Sequence, residues 1–138
     1  MRATLFLLDT DPLLDFVERK PRSSRSGDVL NRAWLADQCY FCPLSLFAMA
    51  SPLPDGAARK TPPPELTRHK LLEAGMREIA ISWETLLESA GFREFPPMSY
   101  EWLLLGVAAH LDATLISARP DLMWRPTEKA INRLAWSL

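Results

Sequence analysis

An α/β fold built on a parallel sheet is what this sequence predicts, and three observations carry the prediction. Short apolar or strand-like runs recur at 3–8, 39–44, 78–81 and 113–117. The stretches between them place apolar residues at helical spacing, with capping residues or glycines at their ends. The first run is apolar at nearly every position, as a central strand covered on both faces requires. Strands that alternate with helices in this way pair in parallel, and the helices cover both faces of the sheet.

Each element can be justified in turn. The run Ala3 to Leu8 stops at Asp9, and Asp9-Thr10-Asp11-Pro12 opens a helix. Thr10 or Asp11 can cap that helix, Pro12 suits its first position, and Leu13, Leu14, Phe16 and Val17 form its apolar face. Arg19-Lys20-Pro21-Arg22-Ser23-Ser24-Arg25-Ser26-Gly27 then reads as a basic, solvated connector; the alternative is an arm that contacts phosphates through Arg19, Lys20, Arg22 and Arg25. Asp28 can cap a second helix carrying Val29, Leu30, Ala33 and Trp34. A strand over 39–44 follows, which Pro43 brings to its end, and Ser45 caps a short helical turn over 46–50. Proline, glycine and charge dominate 51–64, which marks a long exposed loop within the domain.

The second half is more regular. Residues 65–74 are helical, with Leu66, Leu71 and Leu72 apolar and Gly75 as the stop. After the short strand at 78–81, Ser82 caps a helix holding Leu86, Leu87 and Ala90, which Gly91 closes. Ser99 starts the next helix, through Trp102, Leu103, Leu104, Val107 and Ala108. A strand at 113–117 leads to a last helix capped by Thr127, with Ala130, Ile131 and Leu134 on its apolar side. No internal repeat is present.

Length and composition narrow the field. A chain of 138 residues is expected to form one domain over 1–138, large enough to bury a core without disulfides or metal. Apolar residues make up 48% and charged residues 24%, which excludes a disordered or fibrous chain. Sixteen basic against seventeen acidic residues leave a net charge of -1, so no global positive field points to nucleic acid. No run reaches the ~18 apolar residues of a membrane span. The apolar stretch before Asp9 is too short for a signal peptide. Two cysteines without an export signal fit a reducing cytoplasm.

Those cysteines, in Cys39-Tyr40-Phe41-Cys42, have the spacing of a dithiol redox pair, so a dithiol oxidoreductase is one functional hypothesis. A reactive pair needs its first thiol at a helix N-terminus, whereas this run reads as a strand. Residues three apart on a strand point to opposite faces, so buried, inert thiols are the better reading. Trp124 and Trp136 are expected to pack in the core; the alternative, if they are exposed, is a partner interface.

In open parallel sheets, ligands gather beyond the carboxyl ends of the strands. Three such ends are legible: Asp9 with Asp11, Ser45, and Arg119 with Asp121. Carboxylates there suit a hard divalent cation, and such a cation can activate water for attack on a phosphodiester. At these positions the chain resembles the PIN-domain family, in particular the VapC-like ribonuclease toxins of bacterial toxin–antitoxin pairs. The similarity runs through Leu7-Leu8-Asp9-Thr10, Ser45-Leu46-Phe47-Ala48-Met49-Ala50, Tyr100-Glu101-Trp102-Leu103-Leu104 and Thr114-Leu115-Ile116-Ser117-Ala118-Arg119-Pro120-Asp121. The proline-rich loop and a C-terminal helix, where the family often has a strand, depart from the pattern.

The resemblance implies a PIN-like domain, a metal site fed by Mg2+ or Mn2+, RNA as substrate, an antitoxin-like partner and a homodimer. It places the family's acids on Asp9, Ala48, Glu101 and Arg119, so two of the four are lost. If the chain is active, Asp9 and Glu101 are its catalytic acids and metal ligands, with Asp11 or Asp121 substituting for the missing ones. The contrasting hypothesis is a catalytically silent module that binds RNA or a protein. There Arg119 pairs with Asp9 in place of the cation or holds a phosphate, and Arg19, Lys20, Arg22 and Arg25 add contacts.

Overall fold

A computed structural model describes residues 4–18, 24–50 and 62–137. The apolar run before Asp9 forms β1 (Leu5–Leu8), and the chain turns at once into α1 (Thr10–Val17) and then α2 (Arg25–Leu35). Next come β2 (Cys39–Phe41), α3 (Pro43–Ala50), α4 (Pro64–Glu73), β3 (Arg77–Glu78) and α5 (Trp83–Ser89). The C-terminal part comprises α6 (Tyr100–Leu111), β4 (Ala113–Ser117), α7 (Pro120–Trp124) and β5 (Arg133–Ala135).

The five strands form one sheet in the order β3-β2-β1-β4-β5, and every pair is parallel. Leu8 lies level with Phe41 on one side and Ile116 on the other, so the ends of β1 and its two neighbours are aligned. The chain builds outward from β1 through β2 to β3, then returns to the other flank through β4 to β5. The order therefore reverses between β1 and β4, the kind of junction at which parallel sheets open a crevice.

The alternation of the strands divides the core in two. Leu7 and Leu115 face α6 and α7 with Leu104, Leu105, Val107, Ala108, Leu122 and Met123. Leu8, Phe41 and Ile116 face the other way, toward Leu13, Leu30, Leu46, Met49 and Leu71 of α1 to α4. Burial on both faces accounts for the unbroken apolar sequence of β1.

Several sequence expectations need correction. Thr127 caps no helix: its hydroxyl donates to the Lys129 carbonyl at 2.8 Å, and Arg133–Ala135 is a strand. Pairing with β4 outweighs the helical spacing of Ala130, Ile131 and Leu134, and it restores the last strand that the sequence seemed to lack. The second helix starts at Arg25 rather than after Asp28, because Ser24 is its N-cap and accepts from Gly27 N at 3.1 Å. Thus 25–27 belong to a helix capped by Ser24, while Arg19, Lys20 and Arg22 lie outside the described residues. Ser45 is the third residue of α3, not its cap, and Pro64, assigned to the loop, begins α4. The short strand near 78–81 is confined to Arg77–Glu78. Most of the proline-rich loop falls outside the described residues.

On α5 the inward face is not the apolar one. Ser82 caps the helix as expected, in a capping box with Thr85, but Thr85 and Ser89 are its buried residues, while Leu87 and Ala90 are exposed. Their small size lets α5 approach Gly106 of α6 closely. A Cβ on Gly106 would stand 1.7 Å from Ser89 Oγ and 2.5 Å from the Thr85 carbonyl oxygen.

Candidate functional site

The site forms where β1 and β4 end side by side. Asp9, directly after β1, donates its backbone N–H to the Ile116 carbonyl at 2.9 Å, which continues the β1–β4 ladder by one residue. It is also the N-cap of α1, a role the sequence assigned to Thr10 or Asp11. The residue is 1% exposed. A charge this deeply buried must be paired and hydrogen-bonded.

Every side of it is occupied. Oδ1 accepts from Thr10 N at 2.7 Å and from the Tyr100 hydroxyl. Oδ2 accepts from Ser117 Oγ at 2.6 Å and lies 3.4 Å from Arg119 Nε. A carboxylate offers about four lone-pair directions; here three receive hydrogen bonds, and the Arg119 guanidinium lies beside Oδ2 as an ion pair. The N-terminus of α1 adds its partial positive charge on the same side.

Arg119 links this buried group to the outer part of the site. Its Nη1 donates to Glu101 Oε1 at 3.1 Å, and its guanidinium sits over the Tyr100 ring, 4.6 Å from the centroid. Its backbone N–H donates to Ser117 Oγ at 3.0 Å, and Pro120 opens α7 immediately after it. The side chain is one-third exposed. One arginine therefore spans two carboxylates and an aromatic face, a combination that suits a planar guanidinium and not a lysine.

Tyr100 organises the remainder. Its hydroxyl reaches Ser45 Oγ at 2.9 Å and Thr10 Oγ1 at 3.3 Å besides donating to Asp9. Thr10 Oγ1 also donates to the Ser45 carbonyl at 3.3 Å, which ties α1 to α3. Burial, and next the negative charge of Asp9, hold the Tyr100 phenol well above its ordinary pKa, so it stays protonated and serves as a donor.

Of the residues singled out from the sequence, the structure brings Asp9, Glu101 and Arg119 together. Asp11 is exposed in the first turn of α1, and Asp121 pairs with Arg125 at 3.4 Å one turn along. Among the described residues no three His, Cys, Asp or Glu side chains are placed to hold a metal ion. Arg25 is exposed at the start of α2. The hydroxyls of Thr10, Tyr100 and Ser117 were missed. Ser117 did carry a signal, being a polar residue that ends a strand directly after the apolar pair Leu115 and Ile116.

The dithiol hypothesis fails on geometry. Cys39 and Cys42 are buried, free and in the clusters on opposite faces of the sheet. Burial, helped by the charge of Asp37, pushes the Cys39 thiol up to about 12, and burial raises Cys42 as well. Both stay protonated at neutral pH and are poor nucleophiles. Trp136 is buried as expected and donates to Asp15 Oδ2 at 2.8 Å, whereas Trp124 is exposed.

No protein-family model and no curated protein matches the sequence. Solved structures do. One is a chain of VapBC2 from Rickettsia felis, crystallised with a DNA fragment from its promoter: TM-score 0.67, 14% identity, 97% of this chain and 100% of that one. Another is a chain of DNA-bound VapBC from Salmonella typhimurium: TM-score 0.65, 14% identity, 98% of this chain and 100% of that one. An all-parallel five-stranded sheet with helices on both faces, superposable on these chains over nearly its whole length, is the fold of VapC-like PIN proteins.

Proposed function

We propose that this chain is a VapC-like PIN protein that has lost metal-dependent nuclease chemistry and acts by binding a protein partner. The observation that carries the reading is the full occupation of Asp9 by Thr10 N–H, Tyr100, Ser117 and Arg119. A hard divalent cation is held through carboxylate oxygens whose lone pairs face the ion, with waters completing its oxygen shell. Among the described residues only Asp9 and Glu101 converge here, with an arginine between them. These residues do not fit Mg2+ or Mn2+, and no hydrolytic step is routed through such an ion. Ala48, where the resembled pattern has an acid, supplies no ligand.

A protein partner is favoured over RNA by what the surface presents. Arg119 is committed to two carboxylates, while Phe47, Trp83, Leu87 and Trp124 stand largely in solvent. An antitoxin-like protein is the partner class that the similarity to VapBC chains favours, and homodimerisation and a cytoplasmic location complete the proposal. Among the described residues no helix is long and apolar enough to cross a membrane.

The test is RNA cleavage with Mg2+ or Mn2+, with Asp9→Ala beside the unmodified chain. Equal, background-level cleavage by both is expected. Metal-dependent cleavage lost in Asp9→Ala contradicts the reading and favours a nuclease using Asp9, Glu101 and Asp11 or Asp121. A mobility shift with single-stranded RNA at physiological salt separates the two binding alternatives: no shift is expected.

A further inference from the structure

Arg119 is held more closely than a surface arginine needs to be. Its backbone is fixed by the bond from its N–H to Ser117 Oγ and by Pro120 behind it. Its side chain is fixed by Asp9, Glu101 and the face of Tyr100. These contacts put the centre of positive charge between the two carboxylates at the junction of β1 and β4. We infer that the Arg119 guanidinium is the resident cation of this site: a tethered counter-ion that holds Asp9 and Glu101 together and keeps a divalent ion out.

The inference rests on the proposed function, since a chain that bound metal here would have no need of an internal cation. It goes further by assigning the exclusion to one residue. Two carboxylates facing one another with no positive charge between them repel, and the buried one would be left partly unpaired. A guanidinium removes that repulsion, while its own charge repels any second cation from the same space. Among the described residues the other donors on Asp9 carry no positive charge. Tyr100, Ser117 and Thr10 are neutral donors, and Asp121 is paired with Arg125. Lysine could not replace Arg119, because Nε faces Asp9 while Nη1 binds Glu101, and the planar group also stacks on Tyr100.

If the charge of residue 119 is what excludes metal, reversing it should admit one. Mn2+ binding is read by electron paramagnetic resonance on the full chain, with folding monitored by circular dichroism. The unmodified chain should leave Mn2+ as the free ion. Arg119→Asp should bind Mn2+ saturably, tighter by roughly tenfold or more. Its melting temperature should fall in chelator and recover with Mn2+. Adding Asp9→Asn should remove both effects. Arg119→Ala is the second variant, with weaker binding expected, and it decides alone if Arg119→Asp does not fold. A folded Arg119 variant that takes up no Mn2+, beside an unmodified chain that also takes up none, overturns this inference and leaves the proposed function standing. Saturable binding by the unmodified chain overturns both.

Discussion

Asp9 and Ser89 are both polar and both withdrawn from solvent, yet their surroundings differ in kind. Asp9 is surrounded by donors on both oxygens, drawn from α1, α6 and the end of β4. Ser89 Oγ has no hydrogen-bond partner among the described residues and sits against Gly106. At the first place polarity is the reason for burial: a charge is set in a network that fixes its geometry. At the second, size is the reason: a small side chain lets two helices approach, and its hydroxyl is incidental. Removing polar atoms should therefore damage the first region and spare the second, whereas adding a methyl should damage the second.

The largest effect is expected at Asp9. Asp9→Ala strips Ser117 and Tyr100 of their acceptor and Arg119 of its inner partner, and should cost about 3 kcal/mol in urea unfolding. That figure is at the lower end for a buried pair because Arg119 is partly exposed and keeps Glu101. Gly106→Ala should cost about 2–3 kcal/mol, since the Thr85 carbonyl oxygen that the new methyl meets is backbone and cannot rotate away. A loss below about 0.5 kcal/mol would mean that α5 can slide.

Tyr100→Phe removes a hydroxyl that donates to a charged group and should cost about 1.5–2 kcal/mol. It should also change the alkaline limb. The folded phenol titrates above its unfolded value of about 10, so its contribution is complete below about pH 10 and is lost as pH rises beyond it. The phenylalanine variant should lose less stability over that range. Ser89→Ala should be the smallest change, within about 0.5 kcal/mol of zero or slightly stabilising, because no bond is broken. A cost above about 1 kcal/mol would show a partner for Ser89 and erase the contrast. Separately, both cysteines should react slowly with a thiol reagent at pH 8 until the chain is denatured.

Much of the frame was legible because its signals are local. The apolar run ending at Asp9, and the caps Ser82 and Ser99, are each decided within a few residues. Arg119 was legible as a strand-end residue, since strand ends can be counted along the chain, and as a reversed charge only through the resemblance to the PIN-domain pattern. What escaped depends on distant partners. Nothing around Tyr100 shows that its hydroxyl meets Asp9, which is ninety-one residues away in sequence. Arg133–Ala135 has helical spacing and becomes a strand only because β4 offers an open edge. On α5 the apolar residues suggested the inward face, but the close approach of Gly106 selects Thr85 and Ser89 instead.

The tethered arginine at the sheet's switch point is tested most directly by a crystal structure of the unmodified chain soaked in Mn2+, read by anomalous scattering. The account predicts no anomalous peak between Asp9 and Glu101, with the Arg119 guanidinium ordered there. A peak at that position, with Arg119 displaced toward solvent, would contradict it.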